Sequence, residues 1–299
     1  MLTTTWWEIS VHTDPLFEDL LFWLLEEFGC RGTARESRAD GCLVRSYIHS
    51  ELADEQALAG LVTRLEAAAA DLELSPPRVS WDSLAEEDWS QSWKQHWKPE
   101  PIGDRFLIQP AWLEPEPTDR IRLTLDPGTA FGTGAHPTTQ LCLEGLEQEA
   151  ARQPLAGQVL ADIGCGSGIL AIGALLLGAE KVYAVDTDPL AADATRSNAD
   201  FNGLSEAQLW SAAGSVNELQ PIVAAGKPFD GILCNILAHI IQMLMPQITA
   251  LSRPGTWGIL SGTLATQAPG LTATLEEFGW EVTAQVNKGD WCRLHILKR

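Results

Sequence analysis

The stretch Val159-Leu-Ala-Asp-Ile-Gly-Cys-Gly-Ser-Gly-Ile-Leu-Ala-Ile172 constrains the fold more than any other part of the chain. It reads as a buried strand, a tight glycine turn and an apolar helix start. The run Lys181-Val-Tyr-Ala-Val-Asp186 follows as a second buried strand that ends on a carboxylate. Glycines let the backbone pass close to a ligand, and a carboxylate at the next strand end accepts hydrogen bonds from ribose hydroxyls. Together they describe a nucleoside-cofactor site. A glycine loop alone serves equally well as a structural turn; Asp186 at this spacing favours the ligand. A dinucleotide fingerprint needs G-x-G-x-x-G, whereas the glycines fall at 164, 166 and 168 and position 169 is Ile.

Around this unit, apolar periodicity divides the 299-residue chain in two. In the first eighty residues, Thr4–Val11 is strand-like and Asp14-Pro15 offers a helix cap with a proline at the first position. Apolar residues at 16, 17, 20, 21, 24, 25 and 28 mark one helix face, which Gly29 ends. Strand Cys42–His49, with a short partner near 31–37, helix 54–71 and strand Arg78–Trp81 complete the order β-α-β-β-α-β, that of a small α+β ferredoxin-like sandwich. It carries no catalytic constellation; recognition of a partner and a structural appendage both remain open. Trp89, Trp93 and Trp97 then lie on one helical stripe, read as a linker helix over a base-stacking platform. The organisation expected is thus residues 1–82, a linker at 83–101, and an α/β domain at 102–299. In that domain β and α alternate and a hairpin at 280–297 closes the chain, predicting a doubly wound, mostly parallel sheet with an antiparallel edge.

The formal net charge of −20 repels polyanions at long range, which argues against stable nucleic-acid binding. It would attract a basic protein, or simply keep the chain in solution. Six scattered cysteines without a C-x-x-C pair fit reduced, buried thiols and neither a disulfide framework nor a metal site. With no signal-like N-terminus and no membrane-length apolar run, a cytoplasmic monomer is expected.

Two further segments carry chemistry. Asp126-Pro-Gly-Thr-Ala-Phe-Gly-Thr-Gly-Ala-His-Pro-Thr-Thr139 lacks the Lys of a phosphate-binding loop and leads into a helix near 140–148, so it can fold over a cofactor or simply turn. Thr138 and Thr139 stand where they cap that helix, contact a ligand, or both. Asn235-Ile-Leu-Ala238 closes a buried strand, and carboxyl ends of parallel strands surround the ligand crevice. Asn235 there either orients an incoming amine or caps the next helix. His136 is the one nearby candidate base, and its neighbours suggest a loop role instead.

The glycine motif with Asp162 resembles the first motif of S-adenosylmethionine (SAM) methyltransferases. With Asp88–Lys94, the Phe131-Gly-Thr-Gly-Ala-His-Pro-Thr-Thr139 core, Asn235–Ala238 and Trp291-Cys-Arg293, the chain resembles the ribosomal protein L-eleven methyltransferase family over about positions 88–293. The long Gly-Thr-Gly-x-His-Pro-Thr-Thr loop is the specific signal. The resemblance implies a seven-stranded Rossmann-like class I methyltransferase domain beside a substrate-recognition domain. It implies SAM contacts at Thr139, Gly164, Asp186 and Asn235, with Gly166 and Asp162 from the glycine motif. It also implies that the lysine ε-amines and N-terminal α-amine of ribosomal protein L-eleven are taken to the trimethyl state. Neutral lysine at pH 7 costs roughly 4–5 kcal/mol, which desolvation lowers. Positioning by Asn235 and proton loss to solvent are therefore expected, without a dedicated base. Transfer to a planar amide or nucleobase is disfavoured, because Asn235-Ile-Leu-Ala238 lacks the stacking ring of an Asn-Pro-Pro-aromatic segment. A methyltransferase for RNA or another protein, and a non-catalytic SAM-binding module, stay as alternatives.

Overall fold

Alternating apolar residues give the N-terminal strands one buried face: Ile9 and Val11 of β1 (Thr5–Thr13), and Cys42, Val44 and Ile48 of β3 (Gly41–His49). A computed structural model describes residues 5–38, 41–72, 74–85, 97–126, 132, 134–226 and 228–299. It divides into two units, Met1–Lys98 and Pro99–Arg299. In the first, β1 pairs antiparallel with β3 and with β4 (Arg78–Ala85), and β3 with β2 (Arg31–Arg38), in the order β2-β3-β1-β4. Helices α1 (Glu18–Glu27) and α2 (Glu55–Asp71) add Leu21, Leu25, Leu58, Leu61 and Leu65 to the core. Asp54 caps α2 by accepting from Ala57 N at 2.8 Å. Asp14 accepts from Leu16 N at 2.9 Å, but the turn that follows, Pro15–Phe17, is 3-10. That tighter winding takes Leu16 off the apolar face assigned to it, and it is 74% exposed. Residues 83–85 continue β4, and the interval 86–96, with Trp89 and Trp93, lies outside the described residues.

The second unit opens with β5 (Glu100–Ile102), β6 (Phe106–Pro110) and β7 (Ile121–Leu125), a three-stranded sheet absent from the sequence reading. Then follow α3 (Pro137–Arg152), β8 (Val159–Ile163), α4 (Ile169–Leu176), β9 (Lys181–Asp186), α5 (Pro189–Phe201) and β10 (Leu209–Ala213). The chain continues through α6 (Gln220–Ala225), β11 (Gly231–Asn235), α7 (Ala238–Ala250), β12 (Trp257–Leu264), α8 (Ala268–Glu277), β13 (Trp280–Lys288) and β14 (Trp291–Lys298). Seven strands form one sheet in the order β10-β9-β8-β11-β12-β14-β13. The expected antiparallel edge is the terminal hairpin β13–β14. β14 pairs antiparallel with both β12 and β13, so the edge strand β13 runs with the parallel set and the reversed strand lies one place inward. Burial explains the placement: Trp291–Ile296 is buried throughout, as an interior strand requires, whereas most of β13 is at least partly exposed.

Buried polar side chains join the small sheet to the helices. Glu147 of α3 accepts from the backbone N–H groups of Asp104, Arg105 and Phe106 at 2.9, 2.9 and 3.1 Å. Asn202, just past α5, treats β7 as a neighbouring strand would, accepting from Thr124 N at 2.9 Å and donating to Thr124 O at 2.7 Å. Charge-assisted bonds of the Glu147 kind contribute about 1.5–3 kcal/mol each. Glu147→Gln puts an N–H donor where the backbone already donates. It should lower stability by about 2 kcal/mol, read as a lower urea midpoint at unchanged slope.

Candidate active site

The strand β8 ends on the glycine turn because Gly164, Gly166 and Gly168 all take left-handed backbone angles, with φ of 74°, 54° and 80°. Gly164 N and Cys165 N donate to Val185 O at 2.8 and 3.1 Å, pinning the turn to β9. Asp186, at the end of β9, accepts from Gly166 N and from Asp188 N, both at 2.9 Å. Its carboxylate thus shapes the loop and stays partly accessible. Asp162 is wholly buried, and its Oδ2 accepts from Ala171 N at 3.1 Å. Gly168 has no side chain with which to cap α4, so Asp162 supplies the acceptor from the strand. Burial, with the bond from Ala171 working against it and the charge of Asp186 adding to it, raises the Asp162 pKa to about 7.

On the other side of the turn, Asn235 Nδ2 donates to Thr139 Oγ1 at 3.4 Å, while its Oδ1 is buried with no hydrogen-bond partner among the described residues. The helix-cap alternative for Asn235 does not hold, since the residue at the N-cap of α7 is Leu237 and no side chain caps it. Nor do the threonines cap α3. His136 does so, accepting from Thr138 N at 3.3 Å, with its Nδ1 also 2.7 Å from Thr138 Oγ1. Its ring lies edge-on to Trp291, centroids 5.0 Å apart, and burial lowers its pKa to about 4. A ring so weakly basic at neutral pH is a poor acceptor for a lysine proton. Ile236 is wedged between two glycines. A Cβ on Gly164 would lie 2.3 Å from Ile236 Cγ2, and one on Gly262 would lie 2.3 Å from Ile236 O. Among the described residues no group of three or more His, Cys, Asp and Glu side chains is placed to hold a metal ion.

The family model described as ribosomal protein L11 methyltransferase (PrmA) matches residues 5–299. The chain belongs to the ribosomal protein L11 methyltransferase family. A family member from Synechococcus elongatus, a ribosomal protein L11 methyltransferase, is 59% identical over 293 residues, covering 98% of this chain and 97% of its own. Another from a Cyanothece species is 43% identical over 294 residues, covering 97% and 98%. The crystal structure of a ribosomal protein L11 methylase from Lactobacillus delbrueckii subsp. bulgaricus matches with a TM-score of 0.59 and 32% identity, over 68% of this chain and all of that one.

All six residues expected from the family motifs therefore lie at one end of the sheet, on β8, the glycine turn, β9, β11 and the start of α3. Sequence reasoning missed the residues that hold them. Thr195 Oγ1 donates to Gly166 O at 3.0 Å, Asn198 Nδ2 to Ser167 O at 2.8 Å, and Ser167 Oγ to Gly132 O at 2.6 Å. Asn198 Oδ1 also accepts from Asp126 N at 2.8 Å, linking the glycine turn to the start of the 126–139 loop. The available signal was a polar series at 195, 198 and 202 on one helical face. Arg293, in the family's Trp-Cys-Arg segment, is fully buried and donates to Leu141 O at 3.2 Å and Gln148 Oε1 at 2.9 Å, packing over Gly145. Farther along the same seam, His295 Nε2 is 2.9 Å from Glu149 Oε2. Burial opposes the Glu149 charge, yet the bonds from His295 and Gln153 hold its pKa below the ordinary value.

The Ile236 wedge yields a paired comparison. Gly255, at φ 93°, has nothing within 4 Å of its Cβ direction, so Gly255→Ala should cost only the left-handed penalty of about 1–2 kcal/mol. Gly262→Ala, at φ 77°, should add about 1–3 kcal/mol of overpacking against Ile236, measured by chemical denaturation of both variants.

Proposed function

We propose that this protein methylates ribosomal protein L11 with SAM, taking lysine ε-amines and the N-terminal α-amine to the trimethyl state, and that residues 1–82 present the protein substrate. Family membership over nearly the whole chain supports the reaction and the substrate. The single observation that carries the site is the buried, unpartnered Oδ1 of Asn235 beside Thr139. A polar atom buried without a partner costs about 1–3 kcal/mol, and a bound ligand or amine recovers it.

The residues present fit the cofactor. Asp186 is half-buried at a strand end, where ribose hydroxyls can donate to it, and the backbone of Gly164 stays partly accessible although Ile236 fills its Cβ direction. Asp186 at the end of β9 and, once ionised, Asp162 on β8 offer negative charge to a cationic ligand. Thr139 and Asn235 close the far side of the crevice. Bound there, SAM supplies an electrophilic methyl group to an incoming amine. Asn235 Oδ1 accepts an amine N–H and so turns the nitrogen lone pair toward transfer. Burial around Asn235 favours the neutral amine, whose proton leaves to solvent because His136 is committed to capping α3.

Two measurements test this reading. Asp186→Ala should weaken SAM binding about 10- to 150-fold by calorimetry, and an unchanged dissociation constant would remove the carboxylate from the site. Methyl transfer from labelled SAM into purified, unmodified large-subunit proteins should place label in L11, in single-methyl mass steps on lysine or the N-terminus. Label in RNA or another protein would overturn the substrate, and SAM binding without transfer to any component would favour a non-catalytic module.

A further inference from the structure

Two carboxylates stand near each other at the carboxyl ends of the paired strands β8 and β9. Asp162 is wholly buried, accepts at one oxygen from Ala171 N, and leaves Oδ1 without a donor among the described residues. Asp186 ends the adjacent strand, and its charge acts on Asp162. Among the described residues neither carboxylate forms an ion pair with a Lys, Arg or His side chain. The other titratable groups coupled to Asp162 are the thiols of Cys165 in the glycine turn, Cys234 on β11 and Cys142 on α3. Burial holds all three far above their ordinary values, so they are neutral and Asp186 is the one charge that Asp162 faces. A buried carboxylate without a counter-ion must either keep its proton or receive a cation from a ligand.

We propose that Asp162 reads the charge of the bound cofactor and thereby separates the methyl donor from its spent product. The inference rests on the cofactor reading above. SAM carries a sulfonium, an ammonium and a carboxylate, one net positive charge; S-adenosylhomocysteine lacks the sulfonium and is neutral overall. The added cation stabilises the ionised form of Asp162, so binding of the donor expels the carboxyl proton to solvent. On transfer, the amine nitrogen forms the new bond to carbon, and the electron pair of the broken carbon–sulfur bond stays on sulfur as a thioether. The positive charge passes to the methylated nitrogen and departs with that nitrogen, or with the proton it sheds to solvent, leaving a neutral thioether without a counter-charge for Asp162. Asp162 regains a proton from solvent, and until it does, its repulsion with Asp186 disfavours retention of the product complex.

The sign follows from where the carboxyl titrates. With Asp162 titrating at about 7, a proton is available for release at and below neutral pH and absent well above it. The test is calorimetric titration of the full-length protein near pH 6.5 with SAM and with S-adenosylhomocysteine, each in buffers of low and high ionisation enthalpy. Donor binding should release a substantial fraction of one proton, and product binding distinctly less. Asp162→Asn should abolish that difference, weaken SAM about tenfold and leave S-adenosylhomocysteine within about twofold. Equal proton release with both ligands in the wild type overturns the inference, as does an equal weakening of both by the variant. If the variant does not fold, the wild-type proton count decides alone. No binding of either ligand overturns the cofactor reading itself, and the inference with it.

Discussion

Ile236 occupies a space that only glycine on either side leaves open. Gly164 at the end of β8 and Gly262 in the irregular stretch of β12 both meet it closer than any Cβ could approach. Three neighbouring strands are thereby locked at their carboxyl ends, and Asn235 is one residue from the lock. The glycine turn is thus required by packing within the protein as well as by any ligand. Its left-handed angles let the chain leave β8 and start α4 without striking the segment after β11.

Polar groups, not apolar ones, set the position of the elements around this lock. An apolar helix face slides at little cost, but a buried guanidinium or carboxylate is satisfied at one register only. Arg293 and the Glu149–His295 pair hold α3 along β14, and Glu147 holds the turn before β6. Asn198 and Asn202 do the same for α5 against β7 and the glycine turn. The first residues of α3, including Thr139, consequently face Asn235.

The same economy governs the chemistry. A methyl transfer to an amine asks for geometry, exclusion of water and a favourable field, and needs no covalent intermediate. In the reaction proposed above, Asn235 and Thr139 are the groups assigned to the geometry. In the same proposal, Asp162 and Asp186 are the groups assigned to the field, one carboxylate deeply buried and the other partly accessible. His136 is a poor proton acceptor because burial weakens its basicity and its Nδ1 is engaged at the start of α3.

Much of this was legible along the chain. Apolar runs and glycines located β8, α4 and β9, and periodicity placed most helices within a few residues of their ends. The small sheet β5–β7 escaped because its strands are at most five residues long, two of them carrying prolines. Glu147, Asn198 and Arg293 read as ordinary polar residues, since their partners lie far off in sequence. By itself, the sequence determined where the backbone turns, which faces are apolar, and that a carboxylate follows a glycine turn at a nucleoside-binding distance. These are local consequences of side-chain volume and backbone freedom. Only the tertiary structure decided that β14 lies inside the sheet, that Ile236 needs two distant glycines, and that Asn235 meets Thr139 across 96 residues of chain. Those depend on which polar groups find partners once water has been excluded, and no local pattern records that.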